Sequence, residues 1–203
     1  MRYQHGMRLQ GRSPAIVLLT ILPASVGLAY LLPTAAHAAP ACTITDPDGD
    51  VNRRIVGTAG PDVICGLRGN DVIFGMGGND VIYAGAGKDA AYGGEGDDRI
   101  FGESGRDQAQ GLRGDDFLSG GTERDELGGL DHGQDRYLGG GGADVIYAVD
   151  GADVLRGGPG AERCLWSADD RGDDRTFGGG GVDVFDADPT DRVDAEKPAD
   201  CLE

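Results

Sequence analysis

Eight aspartates, Asp62, Asp71, Asp80, Asp89, Asp98, Asp107, Asp116 and Asp125, stand nine residues apart without a slip. Carboxylates in such an array can do two kinds of chemistry. Paired, they act as acid and base; stacked, they offer a hard oxygen shell to a cation. The strict period favours the second, because an acid–base pair needs two groups singled out from the others, and here any pair could be drawn. Other catalytic groups are sparse. Past the first forty residues His132, in the turn-like run GLDHGQD, is the one histidine, so serine and cysteine nucleophiles lack a base. His132 reads as a solvated loop residue. Zinc and copper, which favour imidazole or thiolate, are poorly served by the same composition.

The aspartates are the sixth residues of a larger unit. Written out, the units read GTAGPDVIC, GLRGNDVIF, GMGGNDVIY, AGAGKDAAY, GGEGDDRIF, GESGRDQAQ, GLRGDDFLS and GGTERDELG. The phase then slips by one in a ten-residue unit, 129–138, that carries Asp135. It resumes with Asp144 and Asp153, puts Glu162 where aspartate is due, and after Trp166, Ser167 and Ala168 supplies Asp174 and Asp183. A fixed period of this kind is a repeat architecture, in which each unit is too small to fold alone and neighbours stack to bury a continuous core. The core column is the eighth position: Ile64, Ile73, Ile82, Ala91, Ile100, Ala109, Leu118, Leu127, Ile146 and Leu155, with Tyr137 in the ten-residue unit. In a strand the seventh and ninth residues then point outward. The fourth position is glycine in nearly every unit, as a chain reversing within six residues requires. Glu123 is the exception, and its rung is expected to be strained. Weak rungs also include GGPGAERCL, whose Cys164 takes the nominal inward place, and DDRGDDRTF, with Thr176 there. Trp166, beside Leu165, reads as a cover over the end of the ladder, the alternative being an exposed sugar or partner contact.

The pattern resembles the RTX, or haemolysin-type, calcium-binding nonapeptide G-G-x-G-x-D-x-U-x. The resemblance covers residues 57–186 and implies an all-β fold: a parallel β-roll, or β-helix solenoid, of about fourteen nonapeptide rungs with short disulfide-tethered end caps. In that family two nonapeptides make one turn, so Asp62, Asp80, Asp98 and Asp116 would line one edge and Asp71, Asp89, Asp107 and Asp125 the other. By the same resemblance these eight, with Asp135, Asp144, Asp153 and Asp183, would bind several calcium ions together with backbone carbonyls. Calcium suits an all-oxygen shell better than magnesium, which demands tighter octahedral geometry and keeps its water. The fifth-position residues Asn70, Asn79, Asp97, Asp115 and Asp173 suit two jobs, supporting the ion ligands or shaping the turn.

The ends place the chain outside the cell. Arg2, Arg8 and Arg12 precede an apolar stretch, 15–32, and the small-residue site Ala36-His37-Ala38, the form of a cleaved secretory signal at residues 1–38. Its removal would take the 18 basic and 35 acidic side chains to 15 and 35, a net charge of −20, which repels nucleic acid and anionic membranes. No stable membrane insertion is expected after cleavage. Residues 39–56 and 187–203 flank the repeats as N- and C-terminal caps, too short to hold a separate catalytic domain. Four cysteines allow three connectivities. Pairing Cys42 with Cys65 and Cys164 with Cys201 would tie each flank to its neighbouring repeats, as suits an exported chain. Cys42-Thr43-Ile44, Cys65, and Cys201 with Glu203 also resemble small exported repeat proteins of actinobacterial type.

These readings converge on a secreted, extracellular, non-catalytic calcium-binding protein that folds when it binds calcium. Its repetitive faces suit a structural or adhesive role against cell-wall polymer, surface glycan or other copies of itself. The alternative is an enzyme or accessory module acting on extracellular polysaccharide along the acidic face.

Overall fold

A nine-residue unit with a single apolar inward side chain can bury it only by laying a short strand in register on its counterpart one turn away. The computed structural model, which describes residues 41–45, 52–129, 133–167, 174–180, 185–187 and 192–194, is built in that way. All of these belong to the unit Ala39–Glu203; the unit Met1–Ala38, with the expected signal, lies outside the described residues. Among the described residues the regular elements are all strands, and no helix is long and apolar enough to cross a membrane.

Two sheets alternate along the chain. The first is built from β1 (Ile44–Thr45), β3 (Val63–Cys65), β5 (Val81–Gly87), β7 (Arg99–Gly105), β9 (Phe117–Thr122), β11 (Arg136–Gly141), β13 (Val154–Pro159), β15 (Arg175–Gly180) and β17 (Arg192–Asp194). The second holds β2 (Arg54–Val56), β4 (Val72–Gly77), β6 (Ala90–Glu95), β8 (Gln108–Arg113), β10 (Glu126–Gly128), β12 (Val145–Tyr147), β14 (Cys164–Ser167) and β16 (Phe185–Ala187). Each strand pairs in parallel with the strand two further along, so a turn of the solenoid is two rungs. The expected β-roll is therefore present. The fourteen repeat units supply β3 to β16, and the flanks add β1, β2 and β17, which makes seventeen strands among the described residues where about fourteen rungs were expected. The segments expected to be caps thus continue the sheets. Their short strands satisfy backbone groups that the first and last repeats would otherwise leave open.

The eighth positions stack into two apolar ladders. Ile64, Ile82, Ile100, Leu118, Tyr137 and Leu155 stand in register on one sheet, and Ile55, Ile73, Ala91, Ala109, Leu127, Ile146 and Leu165 on the other. All are buried. The one-residue slip is taken up in the loops: Leu118 still pairs with Tyr137 and Leu127 with Ile146. Near the C-terminal end the pattern needs correction, because Leu165 rather than Cys164 fills the inward place and aligns with Ile146. The adjacent N–H groups of Arg163 and Cys164 both point at the Asp144 carbonyl, at 2.9 and 3.4 Å, so one extra residue is looped out there. That shift turns Trp166 outward at 39% exposure, on the face of β14 and not over the ladder's end. Thr176 is buried with Ser167, their hydroxyls 3.2 Å apart, and the pair satisfies itself inside an apolar column.

Outside, the ninth positions stack as well: Phe74 lies on Tyr92 at 5.2 Å and Tyr83 on Phe101 at 5.1 Å. Cys42 and Cys65 form the expected disulfide, which ties β1 to the first repeat across 23 residues. Cys164 is also disulfide-bonded; its expected partner Cys201 lies outside the described residues. At Glu123 the backbone is left-handed, φ 77°, where the other rungs use glycine, so the expected strain is there, of roughly 1–2 kcal/mol.

Candidate metal centre

The sixth position follows the tight turn and precedes the strand by one residue, so its side chain turns inward under the loop. Asp71, Asp80, Asp89, Asp98, Asp107, Asp116, Asp125, Asp135, Asp144 and Asp153 are between 0% and 3% exposed, and Asp62, on the first repeat, is 8%. They form two files. Asp62, Asp80, Asp98, Asp116, Asp135, Asp153 and Asp174 precede strands of the nine-stranded sheet. Asp71, Asp89, Asp107, Asp125 and Asp144 precede strands of the other. The two edges implied by the family resemblance are thus present.

Within a file, one carboxylate oxygen is committed to the backbone. Oδ1 of Asp80 accepts the Asp62 N–H at 2.8 Å, Oδ1 of Asp98 that of Asp80 at 2.8 Å, and Oδ1 of Asp116 that of Asp98 at 2.7 Å. The other file repeats this from Asp71 to Asp89, Asp89 to Asp107 and Asp107 to Asp125, at 2.7, 2.9 and 2.8 Å. Each carboxylate therefore seals a loop one turn back.

The second oxygen is different. Oδ2 of Asp80, Asp89, Asp98, Asp107, Asp125 and Asp144 is buried and accepts no hydrogen bond. Except in the Asp89 unit, which begins with Ala84, it faces the first-position glycine of its own unit. A Cβ on Gly75 would lie 2.4 Å from Asp80 Oδ2 and 2.5 Å from the Gly93 carbonyl oxygen; on Gly93, 2.2 Å from Asp98 Oδ2 and 2.7 Å from the Gly111 carbonyl. On Gly139 the distances to Asp144 Oδ2 and the Gly157 carbonyl are 2.4 and 2.7 Å. The first-position glycine is there to leave room for converging oxygens, a role that turn chemistry alone does not reveal. An anionic oxygen beside a carbonyl oxygen, away from water and without a donor, is costly until a proton or cation joins them.

The carboxyl pKa values follow from that setting. Burial pushes Asp107 and Asp125 up to about 7 and Asp89 and Asp98 up to about 6. The N–H from one turn back works against the rise, and the charge of the neighbouring aspartate adds to it. Asp80 and Asp144 rise for the same leading reason.

Two members of the file depart from this pattern. Asp62 Oδ2 accepts the N–H and the hydroxyl of Thr58 at 2.7 and 2.9 Å, and the Thr58 N–H holds its carboxyl below the usual range. Asp135 Oδ2 accepts the buried hydroxyl of Tyr137 at 2.7 Å. Sequence reading missed both partners. The Thr58 contact had a local signal, threonine four residues before the aspartate; the Tyr137 contact had only an oversized residue in the core column.

Elsewhere the placement is mixed. Glu162 and Asp174, from weak rungs, are buried at 1% and 0%, and Asp174 Oδ1 accepts the Asp153 N–H at 2.7 Å. Asp183 and His132 lie outside the described residues. The fifth-position side chains do neither job expected of them alone. Oδ1 of Asn70, Asp97 and Asp115 accepts the N–H of Lys88, Asp115 and Gln134 at 2.7, 3.1 and 2.9 Å, which makes an exposed outer ladder one turn on. Among the described residues no three His, Cys, Asp or Glu side chains gather at a point. A cation here would take one carboxylate oxygen from a rung and complete its shell with backbone carbonyls, the ligand chemistry of calcium.

The family model of the RTX calcium-binding nonapeptide repeat (4 copies) matches the chain in three segments, residues 55–91, 92–127 and 133–161. Among curated proteins none matches. A similar solved structure is the solution structure of the AlgE6R3 subunit of the Azotobacter vinelandii mannuronan C5-epimerase, at 29% identity and a TM-score of 0.31. The match covers 49% of this chain and 52% of that one, so the chain spans about half the length of that structure. The matched family segments hold the described aspartate files from Asp62 to Asp153, and by that match the chain belongs to the RTX calcium-binding nonapeptide repeat family, whose repeats bind calcium.

Proposed function

We propose that this chain is a secreted calcium-binding β-roll whose folding is coupled to the ion, and that its role outside the cell is structural or adhesive and not catalytic. The observation that carries the reading is the set of buried Oδ2 atoms on Asp80, Asp89, Asp98, Asp107, Asp125 and Asp144, each with no hydrogen-bond donor. Bound calcium supplies the positive charge that such oxygens lack. Asp71 and Asp116, whose Oδ2 atoms face Gly66 and Gly111, belong to the same ligand set, and Asp153 and Asp183 extend it toward the C-terminus.

Coupling to folding follows from charge. Residues 39–203 hold 15 basic and 35 acidic side chains, and the files set carboxylates about 4.8 Å apart, the spacing of neighbouring strands. One apolar side chain per rung opposes that repulsion. Extracellular modules bind calcium at roughly 10⁻⁴ to 10⁻³ M, a range that leaves such a chain unfolded in the cytosol and folds it on export. The signal-like residues 1–38 and the Cys42–Cys65 disulfide support export. Cell-wall polymer, surface glycan and further copies of the chain are the partners that two repetitive faces suit.

The test is a calcium titration followed by far-ultraviolet circular dichroism, with magnesium as control. The expected result is a cooperative, calcium-selective gain of β signal. A full β spectrum in chelator at neutral pH would sink the coupling and turn the search toward a substrate on a preformed acidic face.

A further inference from the structure

Of all the buried carboxylates in the two files, Asp135 is set apart by a partner from inside the core. In the ordinary rungs the residue two places after the aspartate is Ile, Leu or Ala and ends in methyl groups. In the ten-residue unit that place belongs to Tyr137, 2% exposed, and its ring carries a hydroxyl far enough to donate to Asp135 Oδ2 at 2.7 Å. Oδ1 of the same carboxylate accepts the Asp116 N–H at 2.8 Å, so both oxygens have donors from the chain.

The position of that hydroxyl matters more than the bond alone. A Cβ on Gly129, the first residue of this unit, would lie 2.5 Å from Asp135 Oδ2 and 2.3 Å from the Tyr137 hydroxyl oxygen. On Gly75, Gly93 and Gly139 the same construction meets an aspartate Oδ2 and a backbone carbonyl oxygen of the next turn. The Tyr137 hydroxyl therefore stands where a carbonyl converges on the carboxylate in the other rungs. It brings a proton to the place where those rungs need a cation. Strand register is intact on both sides of Tyr137, Leu118 with Tyr137 and Tyr137 with Leu155, so the ring is accommodated without breaking the sheet.

We infer that Tyr137 replaces a calcium ion at Asp135, making this rung a metal-independent clasp that divides the ion series on the nine-stranded edge into a block ending at Asp116 and a block beginning at Asp153. The inference rests on the calcium reading of the neighbouring aspartates, and it departs from the expectation that Asp135 is a ligand like the rest. A clasp of this kind gives the middle of the roll a turn that closes before any ion binds. Folding can then start at the slip and spread outward as the blocks on either side load.

The experiment counts calcium ions per full-length chain by equilibrium dialysis in Asp98→Asn, Asp135→Asn and Tyr137→Phe against the parent. Asp98→Asn is expected to lose an ion, Asp135→Asn to keep the parental count, and Tyr137→Phe, which strips the donor from Asp135 Oδ2, to gain one. Loss of an ion in Asp135→Asn overturns the clasp. If Asp135→Asn does not fold, Tyr137→Phe decides alone, and an unchanged count there overturns it. An unchanged count in Asp98→Asn brings down the calcium reading beneath it, a failure distinguishable from that of the clasp.

Discussion

The rungs from Asp80 to Asp125 and the two rungs of Asp62 and Asp135 use the same residue in the same register for different ends. In Asp80, Asp89, Asp98, Asp107 and Asp125 of the first group one carboxylate oxygen seals the loop a turn back and the other is buried without a donor. In the second, Thr58 and Tyr137 supply the missing donor. An aspartate at the sixth position can thus sit in two different settings. On the reading proposed for Tyr137, what decides is whether the chain can bring a proton to Oδ2.

Removing calcium should break the comparison most sharply. At neutral pH, chelation is expected to abolish most of the β signal, because each site lost at a calcium level ten times its Kd removes about 1.4 kcal/mol of stabilisation, and several act together. Circular dichroism in chelator checks this.

Next in size is the core that both groups of rungs share. Ile100→Ala should cost about 2–5 kcal/mol in the calcium-loaded protein, since Ile100 is fully buried between Ile82 and Leu118. Denaturant unfolding at saturating calcium measures it. Reducing the Cys42–Cys65 bridge, which closes 23 residues beside the Asp62 rung, should cost roughly 3 kcal/mol in the same assay.

Acid separates the two groups by sign. Asp107 and Asp125, raised to about 7, bind protons more tightly folded than unfolded, so their contribution is present at low pH and is lost as pH rises through 7. Asp62 is lowered, so its contribution is present above the ordinary carboxylate range and lost as pH falls. The metal-free chain should accordingly hold more β structure at pH 5 than at pH 8, with protons standing in for ions. Calcium affinity should fall over the same interval as pH drops. A metal-free chain equally unfolded at both values would contradict this.

The smallest effect is at the strained loop. Glu123→Gly should stabilise the roll by about 1 kcal/mol by relieving φ 77°, and it also removes a charge that raises the Asp107 and Asp125 carboxyls. Thermal unfolding with and without calcium would show the gain in both states.

Much of the molecule was legible before any coordinates. The nine-residue period, the sixth-position aspartates and the eighth-position column follow from spacing, because a solenoid repeats one local solution and each turn constrains the next. The two edges came with the family resemblance, and the Cys42–Cys65 pairing was one of three connectivities, favoured because it ties a flank to the first repeat. Legibility failed where the repeat is interrupted. Leu165 rather than Cys164 turns inward because a looped-out residue before β14 shifts the register by one, and a shift of one reverses every side chain. Trp166 went outward for the same reason. The flanking strands β1, β2 and β17 were hidden because they are two or three residues long and carry no repeat motif.

The sequence by itself determined which residues could be ligands and how they are spaced, since period and residue type are local properties of the chain. Only the tertiary structure decided which carboxylates are left in want of a cation. Whether Oδ2 finds a proton depends on what the turns bring within about 3 Å of it, and for Asp135 that was the hydroxyl of a core tyrosine which the spacing alone marked only as a bulky member of an apolar column.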